Sequence, residues 1–93
     1  MTPLRRPMTP LRRRMIEDMT LRNLAPRTIE ASVERVVTFA EYFDTSPARL
    51  GPEHIRGYFL HLIQERHVSW SYFNQARCAL QLLYRVTLGR DWV

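Results

Sequence analysis

The sequence predicts an all-α fold, a four-helix orthogonal bundle, on three observations. Glycine is scarce, with three in 93 residues. The six prolines sit between periodic runs, where they punctuate helices rather than break them. Apolar residues recur at spacings of three and four along four stretches, the period of a helix with one buried face. An apolar fraction of 45% with 11% aromatic residues is that of a folded globule. A chain this short makes one domain with a modest core.

Residues 1–8 are expected to form a loosely ordered basic tail. Met1-Thr2-Pro3-Leu4-Arg5-Arg6-Pro7 is nearly repeated as Met8-Thr9-Pro10-Leu11-Arg12-Arg13-Arg14. Two short copies cannot build a solenoid, and they read as a duplicated start. The first helix is expected near Thr9, with Pro10 in the first turn, where a missing N–H costs nothing. Leu11, Met15 and Met19, with Ile16 beside them, form its apolar stripe, and Asn23 and Pro26 end it. Arg12, Arg13 and Arg14 lie at the wrong end for the helix dipole. They are either a solvated face or phosphate contacts.

The second helix is expected over Pro26 to Phe43. Ile29, Val33, Val36, Ala40 and Phe43 mark its core side, with Val37 and Phe39 flanking. Asp44-Thr45-Ser46-Pro47 is a turn cluster. Gly51-Pro52-Glu53 opens a third helix to about Glu65, with Ile55, Phe59, Leu62 and Ile63 buried and Tyr58 at the edge. Ser69 is the N-cap expected for the fourth helix, which runs to about Leu88 and stops at Gly89. At 100° per residue its inner side collects Tyr72, Ala76, Ala79, Leu80, Leu83 and Thr87. Its outer side collects Ser71, Asn74, Arg77, Cys78, Gln81 and Arg85, with no acid among them.

Charge is distributed unevenly. The net charge is +5, and five arginines fall in the first fourteen residues with no acid. The other nine arginines balance nine acids. Arg66 to Arg90 nonetheless holds four arginines and no acid, while Met15 to Asp44 holds three arginines against six acids. A basic start and a basic last helix point to nucleic acid. Every basic residue is arginine, a bias that a GC-rich coding sequence explains as readily as phosphate binding does. Asn and Gln read adenine edges, Arg reads guanine or phosphate, and a helix so faced fits a major groove about 12 Å wide. An ordinary solvated face has the same composition.

Other chemistries are disfavoured. Cys78 is the single cysteine, so no internal disulfide forms and a reducing, cytoplasmic setting is expected. Neither a secretory signal nor an apolar run of membrane-spanning length is present. His54 and His61 could share a helix face, yet with Cys78 they fall short of a zinc set. No metal and no small-molecule cofactor is expected. Cys78 has no neighbouring base to make it a nucleophile, and there is no glycine-rich phosphate loop.

Four segments carry a family resemblance: Ala25-Pro26-Arg27-Thr28-Ile29-Glu30, Leu50-Gly51-Pro52-Glu53, Val68 through Ala76, and Tyr84 through Trp92. In this order they resemble the N-terminal, SAM-like core-binding domain of tyrosine recombinases (phage-type integrases), nearest the integron-integrase and transposon-associated branch. The resemblance implies that residues 9–90 are the core-binding domain and residues 91–93 begin a linker to a catalytic domain absent here. It implies one jaw of a clamp on a duplex DNA half-site. One groove-facing set would be Arg27, Thr28, Ser32 and Arg35; the other would be Ser69, Ser71, Asn74, Gln75, Arg77 and Gln81. Where relatives often carry Ser before the second-helix proline, this chain has Ala25; where they often carry a basic residue, it has Gln81.

The family's chemistry needs two arginines, a lysine, a His-x-x-Arg element and a nucleophilic tyrosine. This sequence has no lysine, and none of His54, His61 and His67 is followed by Arg three residues on. Tyr42, Tyr58, Tyr72 and Tyr84 read as core-edge aromatics. The chain is therefore expected to grip DNA without cutting it, as a fragment of a longer recombinase or a truncated gene product, associated with the nucleoid when bound. The rival reading is a protein–protein module, docking other recombinase protomers or another helix through Trp70, Tyr84 and Trp92. A small helix-turn-helix regulator fits less well, because Glu65 to Ser69 lacks the usual glycine.

Overall fold

The computed structural model describes residues 10–90, and all regular structure among them is helical. Four helices follow in order: α1 (Pro10–Leu21), α2 (Pro26–Phe43), α3 (Pro52–Gln64) and α4 (Trp70–Leu82). A 3-10 turn, Pro47–Arg49, precedes α3, and α4 continues as a π-helical turn over Leu83–Thr87. The expected tail 1–8 and linker 91–93 lie outside the described residues. The all-α class, the four helices and their order follow the sequence expectation.

Helix starts depend on proline and short caps. Pro10, Pro26 and Pro52 each open a helix, where the preset φ helps and the missing N–H is not needed. Ala25 leaves α2 without a side-chain cap. Gly51 N–H donates to His54 Nδ1 at 2.9 Å, so a histidine closes the start of α3. Ser69 Oγ accepts from Tyr72 N–H at 3.1 Å at the start of α4.

Helix ends share one device. Asn23, Asp44, His67 and Gly89 adopt left-handed φ of 63°, 53°, 50° and 67°. The next N–H then turns back onto the helix: Leu24 to Met19 O, Thr45 to Ala40 O, Val68 to Leu62 O, Arg90 to Tyr84 O. These bonds satisfy carbonyls that a helix end otherwise leaves open. Asn, Asp and His tolerate this region better than most side chains.

The core gathers from all four helices: Met15 and Met19; Val36 and Phe39; Ile55, Tyr58 and Leu62; Ala76, Ala79, Leu80, Leu83 and Tyr84. Three expectations need correction. Phe39 is fully buried, not flanking, and its ring meets Phe43 at 5.4 Å and Tyr58 at 5.1 Å in edge contacts. Tyr58 is at the centre rather than the edge, while Ile63 is 50% exposed. The buried stripe of α3 thus runs Ile55, Tyr58, Leu62, because Tyr58 is the residue that reaches Phe39. Tyr84, read as an edge aromatic, is completely buried.

Tyr84 lies one turn beyond buried Leu80, and the π turn that follows α4 keeps Leu83, Tyr84 and Thr87 all facing inward. Tyr84 Oη donates to Pro47 O at 2.7 Å, Thr87 Oγ1 donates to Asp18 Oδ2 at 2.8 Å, and Arg90 Nη1 donates to Ala48 O at 2.8 Å. Three side chains therefore tie the end of α4 to α1 and to the 3-10 turn.

Burial pushes the hydroxyls of Tyr58 and Tyr84 up to about 12 from an ordinary 10.0. The folded state holds both in the protonated form, so their contribution is intact below pH 10 and drains away as pH rises through about 12. Chemical denaturation from pH 9 upward is expected to reveal this alkaline loss. Tyr84→Phe should roughly halve its slope and cost about 1 kcal/mol at neutral pH, since Pro47 O keeps the Leu50 N–H.

Candidate nucleic-acid interface

The outer face of α4 is mostly polar, with exposed Trp70 at its start. Ser71, Gln75, Cys78 and Arg85 are exposed; Asn74, Arg77 and Gln81 are half-buried at the surface. The inner face is set by Ala76, Ala79 and Leu80, which turns these side chains away from the core. Arg77 Nη2 donates to Asn74 Oδ1 at 2.8 Å. That bond fixes the amide orientation and leaves the Asn74 NH2 as a donor, with one further lone pair on Oδ1. Arg77 and Gln81 also border a shallow groove with Pro52, Ile55, Arg56, Phe59 and Leu60 of α3.

Helix α2 meets α4 along their flanks, the most extensive helix contact in the domain. Arg35 Nη2 donates to Gln75 Oε1 at 3.4 Å, joining the two candidate faces. Its Cζ lies 4.2 Å from the centre of the Tyr72 ring. Arg66, in the turn after α3, places its Cζ 5.5 Å from the same ring. Thr28 sits two turns before Arg35 on the same flank and is exposed, and Ser32 is half-buried between them.

Several candidates are not drawn into this seam. Arg27 is exposed on the side of α2 opposite its buried stripe, next to Glu34 by helical phase. Arg12 borders an apolar groove of about 620 Å³ together with Val33, Val37 and Glu41. By helical phase those residues mark the flank of α2 opposite Arg35. Arg13 and Arg14 are exposed on α1. Arg85 is exposed beyond Asn74 and Cys78 on α4.

Ser69 has a structural task that a contact reading overlooks, since its hydroxyl oxygen caps α4. Arg56 and Arg66 are the cations that site selection from sequence missed. Arg66 opens the acid-free zone, and that was the available signal. Nothing in the helical period could reveal its partnership with Tyr72, because it lies in a turn.

Alternative chemistries find little support in the geometry. His54 is engaged with Gly51 N–H, and His61 Nδ1 lies 3.5 Å from Glu65 Oε1. Among the described residues no group of three or more His, Cys, Asp or Glu lies close enough to hold a metal ion. Among the same residues no helix is long and apolar enough to cross a membrane.

Residues 11–93 match the family model described as phage integrase, N-terminal SAM-like domain. The chain belongs to that family. It is also similar to a Sinorhizobium fredii protein (strain NBRC 101917 / NGR234) titled "Putative integrase/recombinase y4qK", with 42% identity over 86 residues. The match takes in 92% of this chain and 28% of the relative, so the chain spans little more than a quarter of that protein's length. No solved structure matches the chain.

The Ser69 cap can be separated from any contact role. Ser69→Ala is expected to lower stability by about 1 kcal/mol, read by thermal denaturation without nucleic acid. Ser69→Asp should restore the cap while placing a negative charge at the seam, so stability returns and affinity for a polyanion falls.

Proposed function

We propose that this integrase-family domain binds double-stranded DNA through the seam between α2 and α4. The observation that carries the reading is the join itself. Arg35 bonds Gln75 across the two helices, and Asn74 and Arg77 pair farther round the outer face of α4, toward α3. The surface from Ser69 to Arg85 contains no carboxylate, so it opposes a phosphate backbone without repulsion. Thr28, Ser32, Ser71, Gln75 and Gln81 supply hydroxyl and amide groups around it, suited to phosphate and base edges.

Membership in the integrase family, and the relative titled integrase/recombinase, support a role in DNA recombination. Within that family, the Tyr84 to Trp92 stretch supports placement near the integron-integrase branch. The chain acts as the gripping part of a recombinase, in the compartment that holds DNA, and does not itself cut the strand. The absence of lysine and of a His-x-x-Arg element supports that division.

A second contact, with another recombinase protomer, is favoured by one observation. Trp70 is 73% exposed, stacked at 5.5 Å on Phe73, with Ile63 and Leu60 also exposed on α3. Tyr84 takes no part, being buried, and Trp92 lies outside the described residues.

Fluorescence anisotropy against a short mixed-sequence duplex tests the DNA reading. The expected affinity is about micromolar or weaker, falling steeply with salt. Asn74→Ala and Arg77→Ala should each cost about 1–3 kcal/mol of binding with helix content unchanged. A flat titration at low salt, with circular dichroism reporting a folded protein, overturns the reading.

A further inference from the structure

We infer that Arg66 and Arg35, gathered on the Tyr72 ring, form a two-guanidinium seat for a DNA backbone phosphate. The inference rests on the DNA-binding reading and names a contact outside the surface of α4.

Both cations reach one aromatic ring from different elements. Arg35 comes from the middle of α2 at 4.2 Å, and Arg66 comes from the turn between α3 and α4 at 5.5 Å. The Tyr58 hydroxyl lies in the field of both guanidinium groups, which lower its pKa against the larger effect of burial. Two independent relations therefore bring Arg35 and Arg66 to one locality.

Like charges do not gather without a reason. A ring face attracts a guanidinium by its quadrupole. That offsets part of the repulsion but neutralises neither charge. Neither arginine has a carboxylate within ion-pair distance among the described residues. The bond from Arg35 to Gln75 is long, at 3.4 Å, and the Arg35 Nε is buried without a partner. Such a guanidinium is held in place by its ring and its stem rather than by a full set of acceptors. A phosphate diester, with several anionic oxygens, accepts from both guanidinium groups in charge-assisted bonds.

Location selects the source of that phosphate. Gln75, the acceptor for Arg35, is one helical turn from Ser71 and Cys78 on the outer face of α4, and Thr28 lies on the same flank of α2 as Arg35. A duplex strand lying along the α2–α4 seam passes the ring. Tyr72 is the positioning residue, since its ring orients the two cations and its hydroxyl is not needed.

The salt dependence of duplex binding tests the assignment. Arg66→Gln is expected to weaken binding about tenfold at low salt and to reduce the slope of log K against log salt by about 0.9, the loss of one phosphate contact. Arg35→Gln should behave alike. Tyr72→Leu keeps both charges but should also lower the slope, and Tyr72→Phe should restore it. Arg49→Gln, at the exposed residue of the 3-10 turn, is the charge-matched control and should leave the slope unchanged. Circular dichroism of each variant reports folding. An unchanged slope for Arg66→Gln, or an equal loss for Arg49→Gln, overturns this inference while the DNA-binding reading stands. Failure of the unaltered domain to bind any duplex overturns both.

Discussion

The close packing of α2 against α4 is the constraint on which the rest of the molecule depends. The buried residues of α4 are Ala76, Ala79 and Leu80, and two small side chains among them suit a near approach of helices. On the α2 side Val36 and Phe39 fill the interval, and Phe39 carries the contact onward to Tyr58 of α3. Once these surfaces are pressed together, the polar flanks on either side have no freedom to separate. Arg35 must lie against Gln75 and Tyr72. The hydrophobic effect fixes the inner faces, and helical phase then determines which cations become neighbours.

A second set of bonds keeps that arrangement in register. Tyr84, Thr87 and Arg90 reach across to Pro47, Asp18 and Ala48, residues remote in sequence. The acceptors are two backbone carbonyls and one carboxylate. Hence α4 is held at its start by the Ser69 cap and at its end by this cluster, with its polar face spanning the interval. A small domain needs such restraint, because its apolar core alone leaves little margin.

Much of this was legible in the sequence, for identifiable reasons. The run Pro26 to Phe43 has proline at one end and Asp44 at the other, and its limits match the observed helix. The polar face of α4 followed from the period alone. Two kinds of feature did not. Choice among adjacent apolar residues, such as Tyr58 over Ile63 or Phe39 beside Val36, depends on which ring meets which across the core. The π turn is invisible to a 3.6-residue period, and the burial of Tyr84 at the margin of the α4 stripe depends on the remote Pro47 carbonyl that its hydroxyl reaches. In the candidate interface, helical faces were readable, but the Arg35–Tyr72–Arg66 cluster joins three elements and has no linear signature. The arginines of α1 illustrate the converse: a conspicuous run in sequence, set by the fold on the other flank of α2 from the seam.

The π turn has one more implication. It stores a single surplus residue in the screw of the last helix. Excising one residue there would return the helix to ordinary pitch and rotate everything beyond it by about 100°. Arg90 would swing off the Ala48 carbonyl. The heading on which the polypeptide departs from the bundle is thus a matter of helical phase, dialled by one inserted amino acid.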